Sequence, residues 1–147
     1  MSLPVKIKKL NDKAIIPNYG TEGSAGMDLT AINEKIVVDG PVTYVEYGTG
    51  LAMSIPKGFV GLIFPRSSIS SNTTLVLSNS VGVIDSDYTG EIKFRFKNVG
   101  MGLNKKYNVG DRVGQIVIIP YPKVSFQVVD ELEETKRGAG GYGSTGT

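Results

Sequence analysis

Apolar and polar positions alternate with a period of two along most of the chain. No segment keeps the 3.6-residue period of an amphipathic helix. Ile92, Phe94 and Phe96 alternate with Lys93, Arg95 and Lys97, the clearest half-buried strand in the sequence. Val5 and Ile7 alternate with Lys6 and Lys8, and Val42, Tyr44 and Glu46 alternate with Thr43, Val45 and Tyr47. Further strands are expected over Lys35–Val38, Gly50–Ile55, Phe59–Phe64, Thr74–Leu77, Gly114–Ile119 and Ser125–Val129, with one helical turn around Arg66–Asn72. Asp39-Gly-Pro, Pro56-Lys-Gly, Asn98-Val-Gly and Asn108-Val-Gly-Asp punctuate the pattern as turns. About ten short strands at roughly 8–12-residue spacing predict an all-β fold: a sandwich, jelly roll or barrel. Composition breaks only near Thr135, where a glycine-rich tail begins. Residues 1–136 are therefore expected to form one domain and residues 137–147 a separate C-terminal segment.

Composition narrows the chemistry more than the fold. The chain has 147 residues, 40% apolar and 20% charged, as an ordinary globular domain has. Sixteen basic and 14 acidic residues leave a net charge of +2, too balanced to predict direct nucleic-acid or membrane binding. No run of about 18 apolar residues is present, and the N-terminus lacks a signal-peptide hydrophobic region, so a cytoplasmic or host-cell interior location is expected. Cysteine and histidine are both absent. That excludes disulfides, thiolate nucleophiles, zinc sites built on Cys or His, and every Ser-His-Asp arrangement. A carboxylate is left as the general base, and a hard, oxygen-bound cation such as Mg²⁺ as the metal.

Five segments carry candidate chemistry. Ala25-Gly-Met-Asp-Leu29 places Asp28 in a short strand, where aspartate is disfavoured. Pro65-Arg66-Ser67-Ser68 follows an apolar strand, where an arginine and two hydroxyls suit oxyanion binding or a Ser-capped turn. Asn79-Ser-Val-Gly-Val-Ile-Asp-Ser-Asp-Tyr-Thr-Gly-Glu-Ile92 reads as a β-hairpin, with Phe94 and Phe96 on the returning strand and a type I turn over Asp87–Gly90. Asp85, on the flank of its tip, is either a turn former or a placed general base. Gly110-Asp-Arg-Val-Gly-Gln115 is read as a turn with an Asp111–Arg112 pair, followed by Gln115 as a phosphate donor. Arg137-Gly-Ala-Gly-Gly-Tyr-Gly-Ser-Thr-Gly-Thr147 joins glycine density to an arginine, a ring and two hydroxyls, the groups that grip a nucleotide.

In this order and spacing the five segments resemble the motifs of the trimeric deoxyuridine triphosphatases (dUTPases), from about Gly23 to the C-terminus. The resemblance implies a jelly-roll-like homotrimer whose active sites each draw on all three subunits. It implies Mg²⁺-dependent hydrolysis of dUTP to dUMP and pyrophosphate, which lowers dUTP and supplies dUMP for dTMP synthesis. Asp85 would activate water for attack on the α-phosphorus, and Asp28 would hold Mg²⁺ through water. Asn79 and the main chain near Val83, Ile84 and Lys93 would read uracil, and Tyr88 would pack against the deoxyribose. Arg66, Ser67, Ser68 and Gln115 would bind phosphates from a neighbouring subunit. Residues 137–147 would close over the site, Tyr142 on uracil and Arg137, Ser144 and Thr145 on the outer phosphates. Three positions depart from the family's usual residues: Tyr142 in place of phenylalanine, Met27, expected only to pack, and Gly114 in place of alanine, expected to loosen its strand slightly. Two alternatives remain at this stage: a dCTP deaminase of the same fold, and a regulatory protein-binding role on this scaffold.

Overall fold

The computed structural model describes residues 2–100 and 106–141. Ten strands are found among them: β1 (Lys6–Lys9), β2 (Met27–Thr30), β3 (Asn33–Asp39), β4 (Val42–Gly48), β5 (Leu51–Ser54), β6 (Phe59–Phe64), β7 (Leu75–Leu77), β8 (Gly82–Ile84), β9 (Lys93–Asn98) and β10 (Arg112–Pro120). The one helix, α1, is a single turn over Ile69–Asn72, inside the span expected for it. The strands form three antiparallel sheets, ordered β1-β5, β2-β10-β6-β8 and β3-β4-β9-β7. Gly40, Gly58 and Gly110, from three of the expected turns, hold positive φ angles of 55°, 84° and 97°.

Period-two patterning decides which side of each sheet is inside. Phe94 and Phe96 of β9 are fully buried, while Lys93, Arg95 and Lys97 face outward. Tyr47 pairs with Phe94 across the β4–β9 ladder. Tyr47, Phe96 and Tyr107 then form an edge-to-face cluster with centroids 5.8–6.1 Å apart. The Tyr47 hydroxyl donates to the Tyr107 carbonyl at 2.9 Å, and burial raises its pKa to about 12. From the other four-stranded sheet come Leu29, Val113 and Ile116, all fully buried in the same core.

Three expectations change. Ser125–Val129 forms no strand: every residue there is exposed, and its apolar alternation finds no partner among the described residues. The two arms of the Asn79–Ile92 segment do not pair with each other; β8 bonds to β6, and β9 to β4 and β7. The closed turn between them starts earlier than expected, with Tyr88 N donating to the Asp85 carbonyl at 3.1 Å. At Gly114 the β10–β2 ladder shifts register, between Arg112 and Gly114. A Cβ there would lie 2.1 Å from the Phe94 ring, so the missing methyl lets the two large sheets close on each other.

Candidate active site

Because β8 and β9 belong to different sheets, their facing edges are not spent on each other. A cavity of about 250 Å³ opens between them, lined by Val83, Ile84, Asp85, Tyr88, Glu91, Lys93 and Arg95. Five residues named from the sequence therefore meet in one place: Val83, Ile84, Asp85, Tyr88 and Lys93. Asn79 lines an adjoining cavity of about 370 Å³, and Lys93 and Arg95 form the wall common to both. Next to Asn79 stands Ser80, whose φ of 61° is the one positive value among described non-glycine residues. Val81 N donates to the Asn79 carbonyl at 2.6 Å across it. Such a backbone persists only where its surroundings impose it, as they do at ligand sites.

The Tyr88 loop is tied down locally. The Tyr88 hydroxyl donates to the Glu91 carbonyl at 2.9 Å, and its ring folds over Gly90, where a Cβ would meet that hydroxyl at 2.6 Å. The Glu91 carboxylate accepts from Gly50 N at 2.8 Å and lies 3.6 Å from the Lys93 ammonium. Behind Lys93 sits Glu46, only 8% exposed. Its oxygens accept from Lys93 Nζ at 3.1 Å and Arg95 Nε at 2.8 Å. Burial pushes the Glu46 carboxyl up, but hydrogen bonds and charges from Lys93 and Arg95 outweigh burial and hold it below its ordinary value of 4.5. Arg95 also lies over the Tyr44 ring at 4.8 Å.

The phosphate-type residues assemble elsewhere. Gln115 of β10 pairs in register with Asp28 of β2 on one side and Phe64 of β6 on the other, so two of the five segments share one row across the sheet and a third begins at Pro65, next to its end. From the end of β6 the chain bends so that Arg66 Nε donates to Asp28 Oδ1 at 3.1 Å. Arg112 Nη1 donates to Asp28 Oδ2 at 2.9 Å. Arg112 thus pairs with Asp28 and not with Asp111, whose carboxylate instead accepts from Asn108 N at 2.7 Å. Gln115 Nε2 donates to the Pro65 carbonyl at 3.4 Å, and Gly26 leaves room for the Gln115 amide. Arg66, Ser68, Lys106 and Arg112 line a cavity of about 400 Å³; Ser67 is exposed beside it. No residue lines both this cavity and the one holding Asp85.

Among the described residues no three His, Cys, Asp or Glu converge as a metal nest. Asp28 has both oxygens engaged, one by each guanidinium, while keeping lone pairs that water can reach. This donor set fits a hard cation held through water whose inner ligands come from phosphate, and does not fit a directly coordinated ion. In the tail, Arg137 Nε donates to the Gly140 carbonyl at 2.9 Å in an exposed turn. Tyr142, Ser144 and Thr145 lie outside the described residues.

Sequence reading missed Glu46, Glu91, Arg95, Lys106 and Arg112. A signal for two of them was present. Three cations on one face of β9 require a counter-charge, and the alternation of β4 places Glu46 on its outward face, in register with Arg95. Arg112 was hidden by its neighbour Asp111, which looked like its partner.

Several known proteins resemble this chain in sequence and fold. A deoxyuridine 5'-triphosphate nucleotidohydrolase of Hahella chejuensis is 40% identical over 152 residues, covering 99% of this chain and 97% of that protein. One from Rickettsia bellii is 42% identical over 143 residues, covering 97% and 95%. Among solved structures, a mutant dUTPase of Staphylococcus bacteriophage 80alpha with dUpNHpp matches with a TM-score of 0.80 and 25% identity, over 99% of this chain and 100% of that one. A mutant dUTPase of S. aureus phage phi11, described with a structural Mg(II) ion, matches with a TM-score of 0.74 and 26% identity, over 90% and 100%. The dUTPase family profile matches residues 12–146, and the chain belongs to that family.

Proposed function

We propose that the chain hydrolyses dUTP to dUMP and pyrophosphate at sites completed by neighbouring copies of itself. The observation that carries this reading is the separation of two complementary half-sites. The slit between β8 and β9 offers the outer edge of β8, the terminal strand of its sheet, with a carboxylate and a ring. The shelf on β2, β10 and the end of β6 offers guanidinium groups around one acid. The slit suits a flat base and its sugar, and the shelf suits a triphosphate. Since one chain keeps the two apart, a second copy must bring its shelf to the first copy's slit. The arm after β10 supports the assembly: Val124, Phe126, Val128 and Leu132 are 72–96% exposed, and burying each fully contributes roughly 1.5–3 kcal/mol. A homotrimer, with the 137–147 tail closing over a third subunit's site, is the assembly that fits.

In this reading Asp85 accepts a proton from water as the water oxygen bonds to the α-phosphorus. The bond from that phosphorus to the α,β-bridging oxygen breaks, and pyrophosphate leaves. Edges of Val83, Ile84 and Lys93, with Asn79, hold uracil, and Tyr88 packs against the deoxyribose. Arg66, Ser67, Ser68 and Gln115 hold the phosphates, with Arg137, Tyr142, Ser144 and Thr145 above them. Asp28 would hold Mg²⁺ through water, and the ion would supply neutralisation of the triphosphate charge. The relatives are named as triphosphate nucleotidohydrolases, which weighs against the deaminase alternative. No feature of the described residues favours a purely regulatory role.

Pyrophosphate release from dUTP, with dCTP, dTTP and UTP beside it, tests the activity. Asp85→Asn is expected to retain binding of dUpNHpp and to lose at least about a hundredfold in kcat, since a positioned general base contributes about 10²–10⁴. Normal turnover by Asp85→Asn would remove the general-base assignment. Sedimentation of the same protein is expected to give the mass of three chains, and a fully active monomer would contradict the shared site.

A further inference from the structure

The Tyr88 loop and β9 are joined by a line of contacts in which the catalytic reading leaves Tyr44, Arg95, Glu46 and Glu91 unused. From the sheet outward it runs Tyr44, Arg95, Glu46, Lys93, Glu91 and Tyr88, by side-chain contacts as far as Glu91 and then from the Glu91 backbone carbonyl to the Tyr88 hydroxyl. Glu46 is the one buried acid in the line, and both of its oxygens are taken. Glu91 fastens the far end, with Gly50 N on one oxygen and Lys93 near the other. Gly48 makes this attachment possible, because a Cβ there would stand 2.7 Å from Glu91 Oε1.

We propose that Glu46 is a positioning residue: by holding Lys93 against Glu91 it fixes the Tyr88 ring relative to the base-reading strand, and so sets discrimination between deoxyribo- and ribonucleotides. Three features carry the inference. Desolvating a carboxylate on the outer face of a sheet costs more than packing an apolar side chain there, so stability alone gives no reason for it. The carboxylate does what an apolar group cannot, fixing two long cations at defined places through charge-assisted hydrogen bonds. Both of those cations wall the cavity that also holds Asp85 and Tyr88. The effect falls on sugar discrimination because the line ends on Tyr88, while Asp85 is not part of it. The inference rests on the assignment of Tyr88 to the deoxyribose.

Steady-state kinetics of full-length Glu46→Leu, Glu46→Gln and Tyr88→Ala, each with dUTP and UTP, test it. Glu46→Leu is expected to keep kcat for dUTP within about twofold and to raise KM about fivefold. Its dUTP-over-UTP ratio in kcat/KM should fall about tenfold, since truncating one partner of such a network costs on the order of a tenfold factor. Tyr88→Ala should lower that ratio at least as far, and adding Glu46→Leu to it should change the ratio little, because the two act in series. Glu46→Gln keeps the volume and carries the test if the leucine variant folds poorly. An unchanged ratio in both Glu46 variants, with a lowered ratio in Tyr88→Ala, would overturn the positioning role while leaving the sugar assignment standing. An unchanged ratio in Tyr88→Ala would overturn the sugar assignment and this inference with it.

Discussion

Two clusters in this molecule have the same composition, one acid between two bases, and opposite character. Glu46 sits between Lys93 and Arg95, its side chain 11% exposed, with Glu91 and the Tyr44 ring engaging the far sides of the cations. Asp28 sits between Arg66 and Arg112 with 28% exposed, and among the described residues neither guanidinium meets a second carboxylate. The first cluster is closed: two acids meet two bases and bind little else. The second is open: one acid orients two guanidiniums and leaves a positive charge and several N–H donors for phosphate. Burial and charge count, more than residue type, separate a structural clamp from an anion shelf.

The largest effect expected from this difference comes from Asp28→Asn. Loss of the carboxylate frees two guanidiniums at once, and misplaced phosphate ligands cost about a hundredfold or more. kcat/KM for dUTP should fall a hundred- to a thousandfold. Inhibition by inorganic pyrophosphate should tighten, because the shelf becomes more positive. If Asp28→Asn weakened pyrophosphate inhibition and left kcat/KM unchanged, the shelf would not be the open cluster described.

The difference between the clusters also explains what could be read from the chain. The shelf was legible as chemistry: Arg66, Gln115 and Asp28 stand in motifs, sheet register sets Gln115 beside Asp28, and the Arg66 side chain then reaches Asp28 from the end of β6. The clamp was legible only as pattern. Lys93 and Arg95 looked like ordinary solvated positions of an amphipathic strand, and a salt bridge 47–49 residues long in sequence leaves no local trace. Strand positions followed from the period of two, but pairing did not. The Asn79–Ile92 segment has every local signal of a hairpin, yet its arms join different sheets because each finds a longer partner. For Ser125–Val129 the alternation is real but has nothing to pair with among the described residues. Local propensity records how a strand pairs, and not with which chain.

Gly114→Ala tests whether shelf and clamp lean on one core. The added methyl would sit 2.1 Å from the Phe94 ring and 2.8 Å from the Phe64 carbonyl, with the shelf residue Gln115 next in sequence. Overpacking of a closed core costs about 3 kcal/mol, so unfolding in urea should show a loss of that order. Phe94→Leu should recover part of it in the double variant, since the two sites touch. Equal stability of Gly114→Ala and the parent would mean that the sheets are less tightly closed than the Phe94 contact implies.

A smaller and opposite effect is expected at Tyr107, which lines the shelf cavity while its ring packs on Tyr47 and Phe96. Its hydroxyl is buried without a hydrogen-bond partner. Removing such a group relieves a desolvation cost, so Tyr107→Phe should raise the unfolding free energy by about 1 kcal/mol. A loss of stability would show that the hydroxyl has a partner in the folded protein.

The smallest effect separates the clusters by pH. Lys93 and Arg95 hold Glu46 below its ordinary 4.5 against the opposing pull of burial, with Glu91 beside Lys93 and Lys35 opposite Glu46 in the β3–β4 register. A carboxyl with a lowered folded pKa contributes stability that is fully present above the ordinary value and is lost as pH falls through the folded one. Wild type should therefore exceed Glu46→Gln by about 1 kcal/mol in urea unfolding at pH 7, and that margin should shrink below pH 4.5 as the carboxylate takes up its proton. A margin that stayed constant down to about pH 3 would mean that shape, and not charge, holds the clamp, since linkage requires a margin carried by ionisation to fade there. Lys93 and Arg95 would then be free to serve as a second open shelf, and the contrast between the two clusters would disappear.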